Sequence, residues 1–300
     1  MPFLVMPAID IFVGKVLSVL LSLMLTFGVV SVEKRGADAT PADPDAPYLF
    51  DSCEEYRDYY YTLEYDEATD KWVPSHETCV KTVEADGFTV NIYKNGTAAV
   101  SGFKKAMKTI RIPERVEGCP VVAVDGVEGF FDEERELVTR CTSVIVPNTV
   151  EFIGSDAFRN INFLQNADLG ERVKFIEDGL CVNCRTLKSV KVPGSVDAIS
   201  GYDLCYALTD VEIERGVKCV DGFTYCFALK TVRIPDTVTE LGRSAFLSCT
   251  ALTDLYIPAS VTKIGESVLN AHSDRLKIHG EKGSFAETWA KEQGITFVAE

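Results

Sequence analysis

Residues Val232–Leu252 read VRIPDTVTELGRSAFLSCTAL, and Leu255–Gly265 read LYIPASVTKIG. Both begin with apolar residues separated by single positions, pass through a Pro, and place a Val three residues later. Working outward, the motif apolar, two residues, apolar, one residue, apolar occurs seven times. The copies are Met107/Ile110/Ile112, Cys141/Val144/Val146, Leu164/Ala167/Leu169, Leu187/Val190/Val192, Leu208/Val211/Ile213, Leu229/Val232/Ile234 and Leu252/Leu255/Ile257. The steps between them are 34, 23, 23, 21, 21 and 23 residues. A fixed period in this range predicts a solenoid, in which each unit buries its apolar face only against its neighbours.

Two further columns keep the same register: Val150, Val173, Val196, Val217, Val238, Val261, and Ile153, Ile176, Ile199, Val220, Leu241, Ile264. Alternation in the Val-x-Ile segments turns every second side chain inward. The Pro that follows fixes φ and removes a donor, which ends the strand. The repeats at 164–186 and 208–228 lack that Pro. The first step leaves room for an inserted loop, Glu128–Arg140, and the two 21-residue units are short between Ile199 and Cys205 and between Val220 and Cys226.

Both ends of the array call for closure, because a bare end exposes core and unpaired backbone. At the start, GFTVNIYKNGTAAVSG (87–102) reads as a hairpin with a type I′ turn at Asn95-Gly96, which is also a formal glycosylation sequon. At the end, Leu276 and Ile278 make a last strand. Ser284-Phe285-Ala286-Glu287 is a capping box opening a helix to about Gln293. Gly294 stops that helix, and Ile295–Val298 covers the sheet edge.

The formal net charge of -15 disfavours binding to nucleic-acid phosphates. Residues 38–90 carry 14 Asp and Glu against Arg57, Lys71 and Lys81, so the acidity is concentrated before the repeats. Val16–Val32 is a 17-residue apolar run after Lys15, and Ala37-Asp38-Ala39 has the small residues of a cleavage site. A cleaved secretory signal and an uncleaved N-terminal anchor both fit, and any membrane contact is expected only through 16–32. The organisation read here is a signal or anchor over 1–39 and a Pro- and Asp-rich linker over 40–47. An acidic, Tyr-rich β cap follows over 48–102, then the solenoid over 103–280 and a C-terminal cap over 281–300. Within the acidic region, Tyr59–Tyr65 and Trp72–Val73 read as strands. Cys53 and Cys79 bracket them and form the candidate disulfide of an exported chain.

The unit IPDTVTELGRSAFLSCTAL resembles the repeat of the BspA-like leucine-rich repeat surface proteins. The entry NGTAAVSG with IRIPERVEGCPVVAV and the closing KIHGEKGSFAETWAKEQGITF are similar to that family's array ends. The likeness covers about Gly87–Val298. It implies a β-rich leucine-rich repeat solenoid of about seven turns of 21–23 residues with a parallel sheet. An N-terminal β-hairpin cap and a C-terminal helix–strand cap complete it. It further implies export, display at the cell surface or secretion, and binding of proteins or matrix components, with no catalytic residues.

The residues themselves agree with a non-catalytic chain. His76, His272 and His279 share no motif with a nucleophile and a carboxylate, so no catalytic set is assigned. Cys184, Cys205, Cys226 and Cys249 lie three residues before each repeat Leu and read as a column of small buried hydrophobes. Cys181-x-x-Cys184 alone is too few ligands for zinc, and Cys181 is placed in a core column with Phe158, Leu204, Tyr225 and Phe246. No metal or cofactor is expected. The outward middle positions of the strands are Arg111, Ile145, Asp168, Lys191, Glu212, Arg233 and Tyr256. Asp168, Lys191, Glu212 and Arg233 alternate in sign and are expected to pair with one another across adjacent turns. The candidate partner-binding surface is Phe130, Phe131, Ile145, Asp168, Lys191, Glu212, Arg233 and Tyr256, with Tyr59 and Tyr61 of the acidic segment. Adhesion-type protein binding is the leading reading, a self-associating or wall-binding envelope component the alternative, and an enzyme the remote one.

Overall fold

The computed structural model describes residues 63–66, 71–74, 79–125, 140–269 and 275–300. In chain order the strands are β1 (Leu63–Asp66), β2 (Lys71–Pro74), β3 (Cys79–Ala85), β4 (Phe88–Tyr93), β5 (Ala98–Phe103), β6 (Thr109–Arg111), β7 (Arg115–Val116) and β8 (Cys119–Val124). They continue as β9 (Ser143–Ile145), β10 (Phe152–Ile153), β11 (Asn166–Asp168), β12 (Phe175–Ile176), β13 (Ser189–Val192), β14 (Ala198–Ile199) and β15 (Asp210–Ile213). The last are β16 (Cys219–Val220), β17 (Thr231–Arg233), β18 (Glu240–Leu241), β19 (Asp254–Tyr256), β20 (Lys263–Ile264), β21 (Lys277–Gly280), helix α1 (Phe285–Glu292) and β22 (Thr296–Ala299). The linker, the apolar run, most of the acidic segment and the inserted loop lie outside the described residues, as do Tyr59, Tyr61, Phe130, Phe131 and Cys53. Among the described residues no helix is long and apolar enough to cross a membrane.

The repeat unit builds a parallel β-solenoid. Eight strands stack in the Pro-terminated column (β6, β9, β11, β13, β15, β17, β19 and β21), one more than the seven expected copies, because Leu276–Ile278 supplies a full turn. A second parallel sheet, not expected from the sequence, runs beside the first. The Ile153–Ile264 column is not loop: β8, β10, β12, β14, β16, β18 and β20 are short strands, mostly of two residues, too short to show alternation. The Val150–Val261 column is wholly buried, at 0% exposure in all six turns. Where the unit has Pro, its carbonyl accepts the N–H of the Val three residues on: Pro147–Val150, Pro193–Val196, Pro235–Val238 and Pro258–Val261, each 3.1 Å.

The first sheet is not continuous. β6, β9 and β11 pair in register, then β13 with β15, then β17, β19, β21 and β22. The ladder is interrupted after β11 and after β15, and these belong to the two repeats without Pro. In the first of them Gly170 leaves the strand with φ +69, a path that Pro forbids. The second sheet is interrupted between β12 and β14, at the same boundary between turns.

A third ladder runs through that boundary without a break. Phe158 N–H donates to Leu180 O, Cys181 to Gly201 O, Tyr202 to Gly222 O, Phe223 to Ala245 O and Phe246 to Val268 O, at 2.7–3.1 Å. Gly201 lies at φ +99, and a Cβ there would sit 2.3 Å from the Leu180 nitrogen, so the closeness of the turns requires Gly.

This ladder corrects the expected aromatic column. The buried residues in register are Phe158, Cys181, Tyr202, Phe223 and Phe246, each three residues before the column of Ile161 and the cysteines. Leu204 and Tyr225 are not in it: Tyr225 is 41% exposed and both sit at φ near +60. The two residues missing from the short units are lost ahead of Tyr202 and Phe223, so counting from the strand shifted the column by two. Tyr202, Phe223 and Phe246 stack with centroids 5.5 and 5.7 Å apart and planes 9° from parallel.

The cysteine column is buried, with Cys184, Cys205 and Cys226 at 0% and Cys249 at 6% exposure. Each Sγ–H donates to a carbonyl of the turn before: Phe158, Cys181, Tyr202 and Phe223, at 3.1–3.3 Å. Burial pushes the Cys184 and Cys205 thiols up, and a hydrogen bond with the neighbouring Cys249, followed by burial, does so for Cys226. Thiols so enclosed are unreactive. Titration of the native protein with a thiol reagent near neutral pH is therefore expected to leave these four unmodified until the protein is denatured. Rapid native labelling of any of them, located by peptide mapping, would contradict this packing.

At the N-terminal side β4 and β5 form the expected antiparallel hairpin, but its turn differs. Gly96 has φ +81 while Asn95 does not enter the left-handed region. Tyr93 and Thr97 close a three-residue loop, with Asn95 Oδ1 accepting from Thr97 N and Oγ1. Consecutive positive φ values fall instead at Asp86 (+53) and Gly87 (+89), joining β3 to β4, and at Glu117 (+51) and Gly118 (+82), joining β7 to β8. β5 pairs parallel with β8, so this three-stranded unit extends the second sheet. β1 and β2 pair as a separate antiparallel hairpin. At the other end Ser284 Oγ accepts from Glu287 N at 3.3 Å, α1 buries Ala286 and Ala290, and β22 pairs parallel with β21.

Candidate partner-binding face

Because alternate residues of each strand point away from the core, the first sheet presents one outward row: Arg111, Ile145, Asp168, Lys191, Glu212, Arg233, Tyr256 and His279. Registered pairs fix its order: Arg111 beside Ile145 and Ile145 beside Asp168, Lys191 beside Glu212, Arg233 beside Tyr256, Tyr256 beside His279. Arg111, Asp168, Lys191, Glu212 and Arg233 are exposed, Ile145 and Tyr256 half-buried and His279 buried. A shallow groove of about 810 Å³ crosses the centre of this face, from β11 to β17. Its floor includes Ala167 and Val211, which stand in the inward column yet are only half-buried, beside the two interruptions of the sheet.

The expected neutralisation along Asp168, Lys191, Glu212 and Arg233 does not form. Lys191 Nζ reaches past Glu212 to Glu214, at 2.7 Å. That hydrogen bond raises the Lys191 pKa. It is also the main cause that lowers that of Glu214, with the Gly194 N–H adding to it. The Arg233 guanidinium lies 3.5 Å from the centroid of the Tyr256 ring, and Tyr256 stacks on His279 at 4.2 Å. Asp168 Oδ1 accepts from Gly170 N. Among the described residues Asp168 and Glu212 make no ion pair. For two of the three expected pairs the physical reason is the interrupted ladder, because Asp168/Lys191 and Glu212/Arg233 face each other across its two gaps; Lys191/Glu212 is a registered pair, but Lys191 turns to Glu214 instead.

His279, considered from sequence only as a histidine without a catalytic motif, completes the row. Its Nε2 is 2.8 Å from Asp254 Oδ1. The Asp254 carboxyl is held below its ordinary range by the Thr253 hydroxyl first and by His279 second. The column two residues before the repeat Leu holds a second feature that sequence reasoning missed. There Arg185 lies over Tyr206, and Tyr206 stacks on Phe227 at 5.3 Å, with Tyr225 edge-on to Phe227. Its signal was the 21-residue spacing of Arg185, Tyr206 and Phe227. Of the remaining sequence candidates, Cys79 lies in β3, while its expected partner Cys53 is outside the described residues. No group of three His, Cys, Asp or Glu side chains among the described residues is placed to hold a metal ion.

The repeats match the model of a BspA type leucine-rich repeat region, six copies over residues 137–224 and 202–279. No curated protein matches the chain. Among solved structures, a leucine-rich repeat protein of T. pallidum is similar over 73% of this chain and 98% of its own, at 20% identity and a TM-score of 0.52. A leucine-rich cell surface protein of Faecalibacterium prausnitzii aligns over 66% of this chain and 76% of its own, at 19% identity and a TM-score of 0.39. A leucine-rich repeat protein of Bacteroides capillosus aligns over 44% and 98%, at 26% identity and a TM-score of 0.36. The T. pallidum likeness carries the fold.

Proposed function

Through residues 137–279 this chain belongs to the BspA-type leucine-rich repeat proteins, and from that premise we propose that it is an exported, non-catalytic adhesion protein. Its ligand is a protein or matrix component bound across the outward row of the first sheet. One observation carries the reading: the groove between β11 and β17 is lined by charged and hydroxyl side chains, with Asp168 and Glu212 making no ion pair among the described residues. Charges held in place and left uncompensated favour a complementary partner, in orientation and in encounter rate. The apolar run at 16–32 and the family of the repeats support export.

The test combines two readouts. Surface labelling of intact cells is expected to tag the chain, and the purified full chain is expected to bind reproducibly on an array of matrix and cell-surface proteins. Arg233→Glu with Asp168→Lys should then weaken that binding at least about tenfold, whereas Tyr206→Ala with Phe227→Ala leaves it unchanged. Absence of any reproducible ligand, or binding indifferent to the face variants, would reject this reading.

A further inference from the structure

We propose that the outward row of the first sheet is also a self-recognition face, on which a second copy of this chain docks antiparallel. The row reads Arg111, Ile145, Asp168, Lys191, Glu212, Arg233, Tyr256, His279. A two-fold axis along the strands, between β13 and β15, turns the row of one copy end for end against the other. Lys191 then meets Glu212 of the second copy, and Asp168 meets Arg233 of the second copy. Ile145 meets Tyr256, an apolar pair, and Arg111 meets His279. Each contact is made twice, as an isologous interface requires.

The neighbouring outward columns pass the same operation. Asn166, Ser189, Asp210 and Thr231 bring Asn166 to Thr231 and Ser189 to Asp210. Gln165, Lys188, Thr209 and Lys230 bring Gln165 to Lys230 and Lys188 to Thr209. No like charges oppose in either. The pitch is the second argument. Lys191 and Glu212, on hydrogen-bonded strands, recur about 4.8 Å apart, and the two interruptions of the sheet fall at equal places on either side of the axis, so a second copy of this solenoid repeats both; an extended peptide presents one face only every 6.6–6.8 Å or so. The alternation also fixes the register. A slip of one turn sets Lys191 against Lys191 and Asp168 against Glu212 of the second copy, which repel. The carboxylates of Asp168 and Glu212 lack ion-pair partners among the described residues of their own chain, so docking supplies them.

The face is small. Eight strands and three residues of width give about 350 Å² per copy, which places the dimer among weak, salt-sensitive associations. The inference does not depend on the adhesion reading, and its test uses only the purified full chain, kept in a non-ionic detergent for its apolar run. Sedimentation velocity is expected to show a monomer–dimer equilibrium that weakens with added salt. Lys191→Glu and Glu212→Lys should each raise the dissociation constant at least about tenfold, with unchanged circular dichroism. The equimolar mixture of the two variants, and the doubly swapped chain, should return to within about threefold of the wild type, because opposite charges then meet again. A wild-type chain that stays monomeric at high concentration and low salt overturns the proposal. So do single variants that dimerise like the wild type, or a swap that fails to restore association.

Discussion

Replacement of Phe223 by Ala is expected to destabilise the protein by about 3–5 kcal/mol. Phe223 is fully buried and held between Tyr202 and Phe246 by near-parallel ring contacts. Removing the ring deletes its transfer free energy, leaves a cavity that the turns above and below cannot collapse into, and ends two stacking contacts at once. In a solenoid each turn is stabilised by its neighbours alone. The loss is therefore local, and the turns on either side of β16 should uncouple. Chemical denaturation followed by circular dichroism is expected to change from one transition to a broadened or two-step one. Phe223→Leu, which keeps most of the volume, should lose less than half as much. A Phe223→Ala variant that loses under about 1 kcal/mol would show that the column is loosely packed.

The second large effect is expected at the ion pair of Arg172 and Glu151. Their closest contact is 3.0 Å, and their side chains are 8% and 11% exposed. The pair joins successive turns at the second sheet, where Glu151 O also accepts from Lys174 and Phe175 N–H. Arg172→Ala leaves a carboxylate buried without its cation, a change that costs about 3–5 kcal/mol. Replacing both partners by apolar residues, Glu151→Leu with Arg172→Met, removes the buried charge as well. The double variant should recover most of that loss, and its stability should exceed that of Arg172→Ala. Equal or additive losses would mean that the carboxylate finds water when its partner is removed. Thermal or urea unfolding of the three variants distinguishes these outcomes.

The period, the buried columns and the closing helix with its strand could be read from the residues because each is a local pattern repeated at fixed spacing. Three other features depend on how the turns meet. Two-residue strands such as Phe152–Ile153 and Glu240–Leu241 carry no alternation, so the second sheet left no mark. Tyr202 and Phe223 were displaced from their column because spacing alone does not say at which point a shortened unit has lost its residues. Two left-handed positions in succession were expected at Asn95-Gly96 but occur at Asp86-Gly87, a sequence equally suited to them. For the candidate face, the period placed Asp168, Lys191, Glu212 and Arg233 in one outward row. It did not reveal that the backbone parts on either side of the central pair, and that parting decides which charges remain unneutralised.

The corner ladder from Phe158 to Val268 has a mechanical meaning. No strand of the turn of β11–β12 pairs with a strand of the turn of β13–β14; the backbone bonds across that boundary are a long one beside the second sheet, Asp197 N–H to Lys174 O at 3.4 Å, and two at the corner, Cys181 N–H to Gly201 O at 2.7 Å and Asn183 N–H to Asp203 O at 2.8 Å. That boundary has the geometry of a hinge whose pin is the corner. Beside the second sheet, bending there works only against the Asp197–Lys174 bond and the Ser195 hydroxyl on Val173 O, and it changes the opening of the groove directly, so the compliance of the solenoid is concentrated beneath the candidate face.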